Sequence, residues 1–199
     1  RQTPDIEVMG ILTTLNQVHA RVSMHGVRAE LLWGQAESVD LPIWDVNLPD
    51  PCSNEQYEEI MGSVMKWAAS MKIEAIAFGD LFLEDIRAYR EKQLAPIGIK
   101  PIFPLWGMPT DKLAREMIDG GLQARLTCVD PKKLDRSFAG RAFDQALLED
   151  LPKDVDPCGE RGEFHTFAWS GPMFKGPVQV SVGEVVERDG FVFADLLPS

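Results

Sequence analysis

Apolar and polar residues alternate along this chain in short blocks, and the length and period of each block separate strands from helices. Residues 6–12 (Ile-Glu-Val-Met-Gly-Ile-Leu) read as a buried strand ending at the polar pair Thr13-Thr14. A loop through Met24-His25-Gly26 follows, and residues 27–39 place Leu31, Leu32 and Ala36 on the inner side of a helix. Residues 42–46 read as a short strand. Asn54 predicts the cap of a helix over 54–71, with Glu55, Glu58 and Glu59 in its first turns, where the helix dipole favours acids. Residues 75–78 and 100–103 are further short apolar runs. Helices over 81–95 and 110–119 bracket the second of them, and a strand over 123–129 follows Gly120-Gly121.

Strands alternating with helices of this length predict an α/β fold, a mostly parallel sheet with helices on both faces. Ligands of such sheets bind outside the carboxyl ends of the strands. By that rule Thr13-Thr14, Gly79-Asp80 and the loop after Phe103 lie on the binding edge. After about residue 150 the pattern changes to Pro- and Gly-rich segments with strands over 164–168, 178–186 and 191–196. Asp189-Gly190 supplies the positive φ angles of a tight hairpin. The predicted organisation is an α/β domain over residues 1–150 and a small β-rich extension over 151–199.

Composition narrows the function classes. A chain of 199 residues with 45% hydrophobic and 26% charged residues buries an ordinary globular core. No apolar stretch approaches the roughly 20 residues of a membrane span, and the chain opens at Arg1 without a basic-then-apolar leader. The net charge of −11 argues against nucleic acid as a partner, because cation–phosphate contacts dominate that affinity. Cys52, Cys128 and Cys158 are odd in number and lack Cys-x-x-Cys spacing, which predicts neither a disulfide framework nor a zinc site and fits a reducing cytoplasm.

The densest chemistry lies in Asp156-Pro157-Cys158-Gly159-Glu160-Arg161-Gly162-Glu163-Phe164-His165-Thr166. Two glycines allow a sharp turn that brings Glu160 and Glu163 toward one small volume, with His165 leaving on the next strand. The competing reading is a polar surface turn. Asp80, Glu84, Arg87 and Glu91 are spaced four, three and four apart, one face of a helix. That face is either substrate-side or merely solvated. Met24 and His25 sit in a loop near the binding edge, where the histidine is either a nucleotide or substrate contact or simply structural. Thr13 and Thr14 either contact an adenine ring or simply end the strand. Arg141 opens a helix over 141–149, which suits an anion, or pairs with Asp144 or Glu149. Cys158 reads as a small residue packed in a tight turn rather than a nucleophile.

The same segment, with Arg21-Val22-Ser23-Met24-His25-Gly26-Val27-Arg28, Phe78-Gly79-Asp80-Leu81-Phe82-Leu83-Glu84-Asp85, Pro104-Leu105-Trp106-Gly107 and Ser137-Phe138-Ala139-Gly140-Arg141, resembles the diphthine–ammonia ligase family. That is a group of ATP-pyrophosphatase (PP-loop), adenine nucleotide alpha hydrolase-like proteins with a Rossmann-like sheet. The resemblance runs over roughly residues 6–175. It departs at the start: the family's Ser-Gly-Gly-Lys-Asp-Ser phosphate loop occurs nowhere in this sequence, and a preceding unit of about 25 residues would hold it.

The resemblance implies an ATP-dependent amide ligase. ATP with Mg²⁺ activates a carboxylate as an acyl-adenylate, and ammonia displaces AMP. It implies Glu160, Glu163 and His165 as catalytic residues and Thr13, Thr14, Met24, His25, Gly79 and Asp80 as nucleotide contacts. Glu84, Arg87, Glu91 and Arg141 fall on the substrate side, and no protein metal site is implied. The turn over 159–165 is expected to face the nucleotide across a cleft. The acyl substrate is a protein side chain or a small molecule. In the diphthamide case it is carried by an elongation factor, and in a bacterial relative cobalamin-related amide chemistry would stand in its place. Self-association into a homo-oligomer stays open. The alternative is a nucleotide- or metabolite-binding protein without ligase activity.

Overall fold

Strand pairing sorts the apolar runs into three sheets within residues 6–199, the part of the chain described by the computed structural model. β1 (Ile11–Asn16) carries the two-residue β2 (Arg21–Val22) antiparallel on one edge and β3 (Ile43–Leu48) parallel on the other. β4 (Ala75–Ala77) and β5 (Lys100–Ile102) form a second parallel pair. The remaining strands, β6 (Gln123–Val129), β7 (Phe164–Ser170), β8 (Val180–Arg188) and β9 (Phe191–Pro198), make an antiparallel sheet in the order β7-β6-β9-β8.

The class is therefore mixed α/β, but the single mostly parallel sheet expected from the sequence resolves into two parallel pairs and an antiparallel sheet. β6 explains the difference. It is buried along most of its length, and burial on both faces imitates an interior parallel strand. Its partners are β7 and β9, so the hydrogen bonding of this sheet crosses residue 150. The first strand starts at Ile11, later than expected, and Ile6, Val8 and Met9 before it are exposed. The β8–β9 turn forms as predicted, with Asp189 at φ 52° and Gly190 at φ 80°.

Five α-helices connect these strands among the described residues: α1 (Ala29–Ser38), α2 (Asn54–Ser70), α3 (Glu84–Leu94), α4 (Thr110–Asp119) and α5 (Gln145–Asp150). Ser53, rather than Asn54, caps α2. Its hydroxyl accepts the Gln56 N–H at 3.2 Å while the Gln56 side chain accepts the Ser53 N–H at 2.9 Å, a reciprocal capping box. α3 begins at Glu84 and not at 81, leaving Asp80 ahead of the helix. α5 begins after Asp144, whose carboxylate accepts the Leu147 N–H at 2.9 Å, so Arg141 does not open it.

The core divides accordingly. Leu126, Val129 and Leu147 are fully buried between β6 and the segments that cover it. α1 packs Leu31 against Phe167 and Leu196, and it packs Ala29 and Leu32 against Leu15. α2 and α3 share a cluster built on Met65, Ala68 and Leu94, which Leu12 of β1 and Ile76 of β4 both join. No helix among the described residues is long and apolar enough to cross a membrane.

Candidate functional site

The turn over 156–163 is held by its own carboxylates. Asp156 is 6% exposed and Glu163 2% exposed. Asp156 Oδ1 accepts the Cys158 and Glu160 N–H groups at 2.9 and 3.3 Å, and Oδ2 accepts the Thr110 hydroxyl at 2.7 Å. Glu163 Oε1 accepts the Asp156 N–H at 3.1 Å and Oε2 the Arg161 N–H at 2.9 Å. Gly159 has φ 70°, and a Cβ there would stand 2.6 Å from the Phe164 carbonyl oxygen, so only glycine fits.

Glu163 thus faces inward while Glu160 reaches out of the turn. Its Oε1 accepts the Leu81 N–H at 2.7 Å, docking the turn onto the segment that follows Gly79. The two glutamates do not meet in one volume as the spacing suggested, because satisfying the turn's backbone donors takes Glu163 inside. Cys158 packs with Sγ 3.3 Å from the Thr110 carbonyl. Burial, followed by the charges of Asp156 and Glu160, pushes its thiol up to about 12, which leaves it protonated and unreactive.

His165, the second residue of β7, lies beside a cavity of about 390 Å³. The cavity floor is one row across the antiparallel sheet: His165 pairs with Cys128, Cys128 with Phe193, and Phe193 with Val186, and all four line it. The opposite wall is the β1–β2 region, including Asn16, Ser23, Met24 and Gly26, together with Asp50. Asn16 ends β1 and donates to Asp50 Oδ2 at 2.9 Å, just past the end of β3. The cavity therefore opens at the carboxyl ends of two parallel strands, where ligands of such sheets bind.

Histidine 25 lies beside it. Its ring stacks on His165 with centroids 4.3 Å apart and planes 30° apart. Burial lowers the pKa of both rings. For His165 the neighbouring His25 lowers it further, to about 4, whereas a hydrogen bond to the Thr166 backbone partly restores His25. His165 is neutral at physiological pH. Behind the loop, Arg21 and Arg28 both bond the Asp195 carboxylate, at 2.8 Å for Arg21 and at 3.0 and 2.7 Å for Arg28.

The other sequence-predicted residues are distributed around this centre. Thr13 and Thr14 stand within β1 opposite Asp45 and Val46, not at its carboxyl end, because the strand runs on to Asn16. Gly79 is exposed, and a Cβ there would meet nothing within 4 Å. Asp80 accepts two hydrogen bonds from Arg90, at 2.6 and 3.2 Å, and leaves the helix face it was grouped with. Arg87 bonds Glu91 at 2.8 Å and lies over the rings of Phe103 and Trp106. Glu84, Arg87, Glu91 and Arg141 do not line the cavity. Arg141 pairs with Asp150 at 2.7 Å, the ion pair its alternative reading expected, with a different acid.

Asn16 and Asp50 escaped the sequence reading. The strand-end rule would have found them had β1 been carried to its true end. Cys128 and Phe193 had no local signal, since cross-strand pairing alone brings them to His165. Among the described residues no group of three His, Cys, Asp or Glu could hold a metal ion.

Residues 109–193 match the family described as Diphthamide synthase C-terminal domain. The chain is 29% identical over 148 residues to the diphthine–ammonia ligase of Homo sapiens, covering 72% of this chain and 55% of that protein. The Bos taurus protein of the same name matches with the same identity and coverage. The Schizosaccharomyces pombe one is 30% identical over 120 residues, 58% of this chain and 20% of its own length. The chain spans about half the length of the mammalian relatives it matches.

Proposed function

We propose that this chain, which resembles the diphthine–ammonia ligases, provides the acyl-transfer site and the nucleotide-facing strands of an ATP-dependent amide ligase. One observation carries the reading: three family-like stretches far apart in sequence meet around one turn. Glu160 grips the segment after Gly79, and His165 meets the Met24–Gly26 loop.

Two open edges support a finer reading of the fold. Among the described residues β2 covers β1 only at Leu15 and Asn16, its other bridge joining Arg21 to Arg28, and β4 has β5 as its one strand neighbour. Leu12 and Ile76 from these edges line a second, smaller cavity of about 100 Å³ beneath α2 and α3. A strand seated between β1 and β4 would join the two pairs into a PP-loop-type, Rossmann-like parallel sheet. α1 would lie on the Leu15 face and α2 with α3 on the Leu12 face, since residues three apart on a strand face opposite ways. Such a strand would deliver the phosphate-gripping loop next to Gly79. The nucleotide-binding part then comprises the β1–β5 region and the substrate-side part the antiparallel sheet.

With Mg²⁺, ATP supplies activation of a carboxylate as its adenylate with release of pyrophosphate, after which ammonia forms the C–N bond as the C–O bond to AMP breaks. Glu160 holds the Gly79–Leu81 segment in place for the nucleotide, and Asp80 is fixed by Arg90. We assign Thr13, Thr14, Met24 and Gly79 to the adenine on the strength of the family resemblance. The neutral His165 ring accepts a hydrogen bond from the amine at the cavity wall. Among the charged residues lining the cavity, Asp50, Glu184, Asp189 and Asp195 outnumber Arg21 and Arg188, a balance that favours ammonium over anions. Mg²⁺ fits as an ion held mainly by phosphate oxygens and water with one or two carboxylates. All three cysteines are free thiols, in keeping with a cytoplasmic protein.

The test supplies the protein with ATP, Mg²⁺, ¹⁵N-ammonium and an elongation factor bearing diphthine. Equal yields of AMP, pyrophosphate and ¹⁵N-amide support the ligase. Bound ATP with no substrate-dependent AMP, across protein and small-molecule carboxylates alike, would leave a nucleotide-binding protein.

A further inference from the structure

The loop after β2 carries His25 between two residues in the left-handed region, Met24 at φ 66° and Gly26 at φ 70°. L-residues adopt that conformation only at a cost. Met24 is 68% exposed, so burial of its side chain does not offset the strain. Gly26 is required sterically, because a Cβ there would stand 2.6 Å from the Phe193 ring. The loop is closed by the Gly26 N–H on the Val22 carbonyl at 3.0 Å, the Val22 N–H on the Val27 carbonyl at 2.7 Å, and the Arg21 guanidinium on the Gly26 carbonyl at 2.7 Å. Strain held this firmly by its surroundings is characteristic of residues presented for a task. What the loop presents is the His25 ring, flat against His165 and hydrogen-bonded to the Thr166 backbone.

We infer that His25 is a positioning residue for His165, and that the stacked pair, rather than either ring alone, sets the plane of the imidazole at the wall of the cavity. The inference rests on the ligase reading for its chemistry but on geometry alone for the pairing. His165 has Cys128 as its cross-strand neighbour on β6, and Phe193 lies one strand further on. The Phe193 ring lies against Gly26 of the loop, and His25 is the ring that stacks on His165. Without His25 the imidazole is free to rotate about its side-chain torsions, and its nitrogens no longer meet a substrate at a fixed angle. The stack also ties the loop's state to the site. Two rings in contact favour the neutral form of each, whereas the other ionisable groups lining the cavity are His19 and Arg21 from the β1–β2 region, Asp50 after β3, Cys128 on β6, Glu184 and Arg188 on β8, Asp189 in the β8–β9 turn and Asp195 on β9.

The chain holds three histidines, so ring proton signals assign readily by substitution. In the unaltered protein the His165 signal should titrate near pH 4. In His25→Ala it should move up by about one pH unit or more and broaden, as the ring gains solvent and loses its neighbour. Amide formation should fall roughly tenfold in kcat with the KM for ATP unchanged. His25→Phe keeps a ring in the stack, and it should restore most of kcat and the low His165 midpoint. A His165 midpoint identical in His25→Ala and the unaltered protein overturns the inference. So does a raised KM for ATP in both variants with no rescue by Phe, which makes His25 a nucleotide contact. The titration reads the pairing even if no carboxylate is ever amidated, so failure of the ligase reading and failure of the pairing give different results.

Discussion

The carboxylate of Glu160 accepts the backbone N–H of Leu81 at 2.7 Å, joining positions 79 apart in sequence. This bond, with the Arg161 guanidinium over the Phe82 ring at 5.5 Å, ties the turn over 156–163 to the segment following β4. Glu160→Ala should cost about 1.5–3 kcal/mol in stability, the usual loss for a hydrogen bond to a charged group. Hydrogen exchange at the Leu81 amide should rise with it. An unchanged exchange rate would mean that the tie is not made in solution.

Glu163 has a different role from Glu160. Both of its oxygens accept backbone N–H groups inside the turn, and it is almost wholly buried. Glu163→Gln replaces one acceptor by an NH₂ that faces another donor. A denaturant midpoint lowered by the equivalent of about 1–3 kcal/mol is expected, with activity lost alongside stability. Full stability with lost turnover would instead give Glu163 a direct part in the chemistry.

Acid should loosen the contact between the β2–α1 loop and β9. Arg28, then Arg21, hold the Asp195 carboxyl down to about 2 from 3.8. A depressed folded-state pKa stabilises above the unfolded value and loses that stabilisation as pH falls through the folded one. The contribution of roughly 2 kcal/mol is thus complete above about pH 4 and gone near pH 2. Asp195→Asn should be less stable by a similar amount at neutral pH, with a flatter decline between those values. Parallel acid curves for the two proteins would contradict this.

What the sequence made legible was local. α4 and β6 run over the predicted residues, and Asp189-Gly190 makes the predicted turn. Pairing was not legible: β6 shows its burial but not its partners, and burial on both faces imitates a strand inside a parallel sheet. Asp80 was read onto a helix face because spacing cannot reveal that Arg90 holds it ahead of α3. At the site, the turn was recognisable from its residue types, but which glutamate points inward depends on the backbone donors left over once it folds. The His25–His165 contact spans 140 positions, and no spacing encodes it.

The central claim is a division of labour, with the nucleotide on the parallel-strand side and acyl transfer at the His165 wall. It is tested most directly by His165→Ala and Gly79→Val side by side, each assayed for ATP affinity by calorimetry and for ¹⁵N-amide formation on elongation factor bearing diphthine. A side chain at residue 79 meets no protein atom within 4 Å of its Cβ, so loss of binding there reports the ligand rather than the fold. The expected result is a crossed pattern: His165→Ala loses on the order of 10²-fold in amide formation with ATP affinity intact, the scale of a lost acid–base or hydrogen-bonding group. Gly79→Val loses ATP affinity while the turnover of what it binds is kept. Weakened ATP binding in His165→Ala, with turnover per bound nucleotide unchanged, would contradict the division.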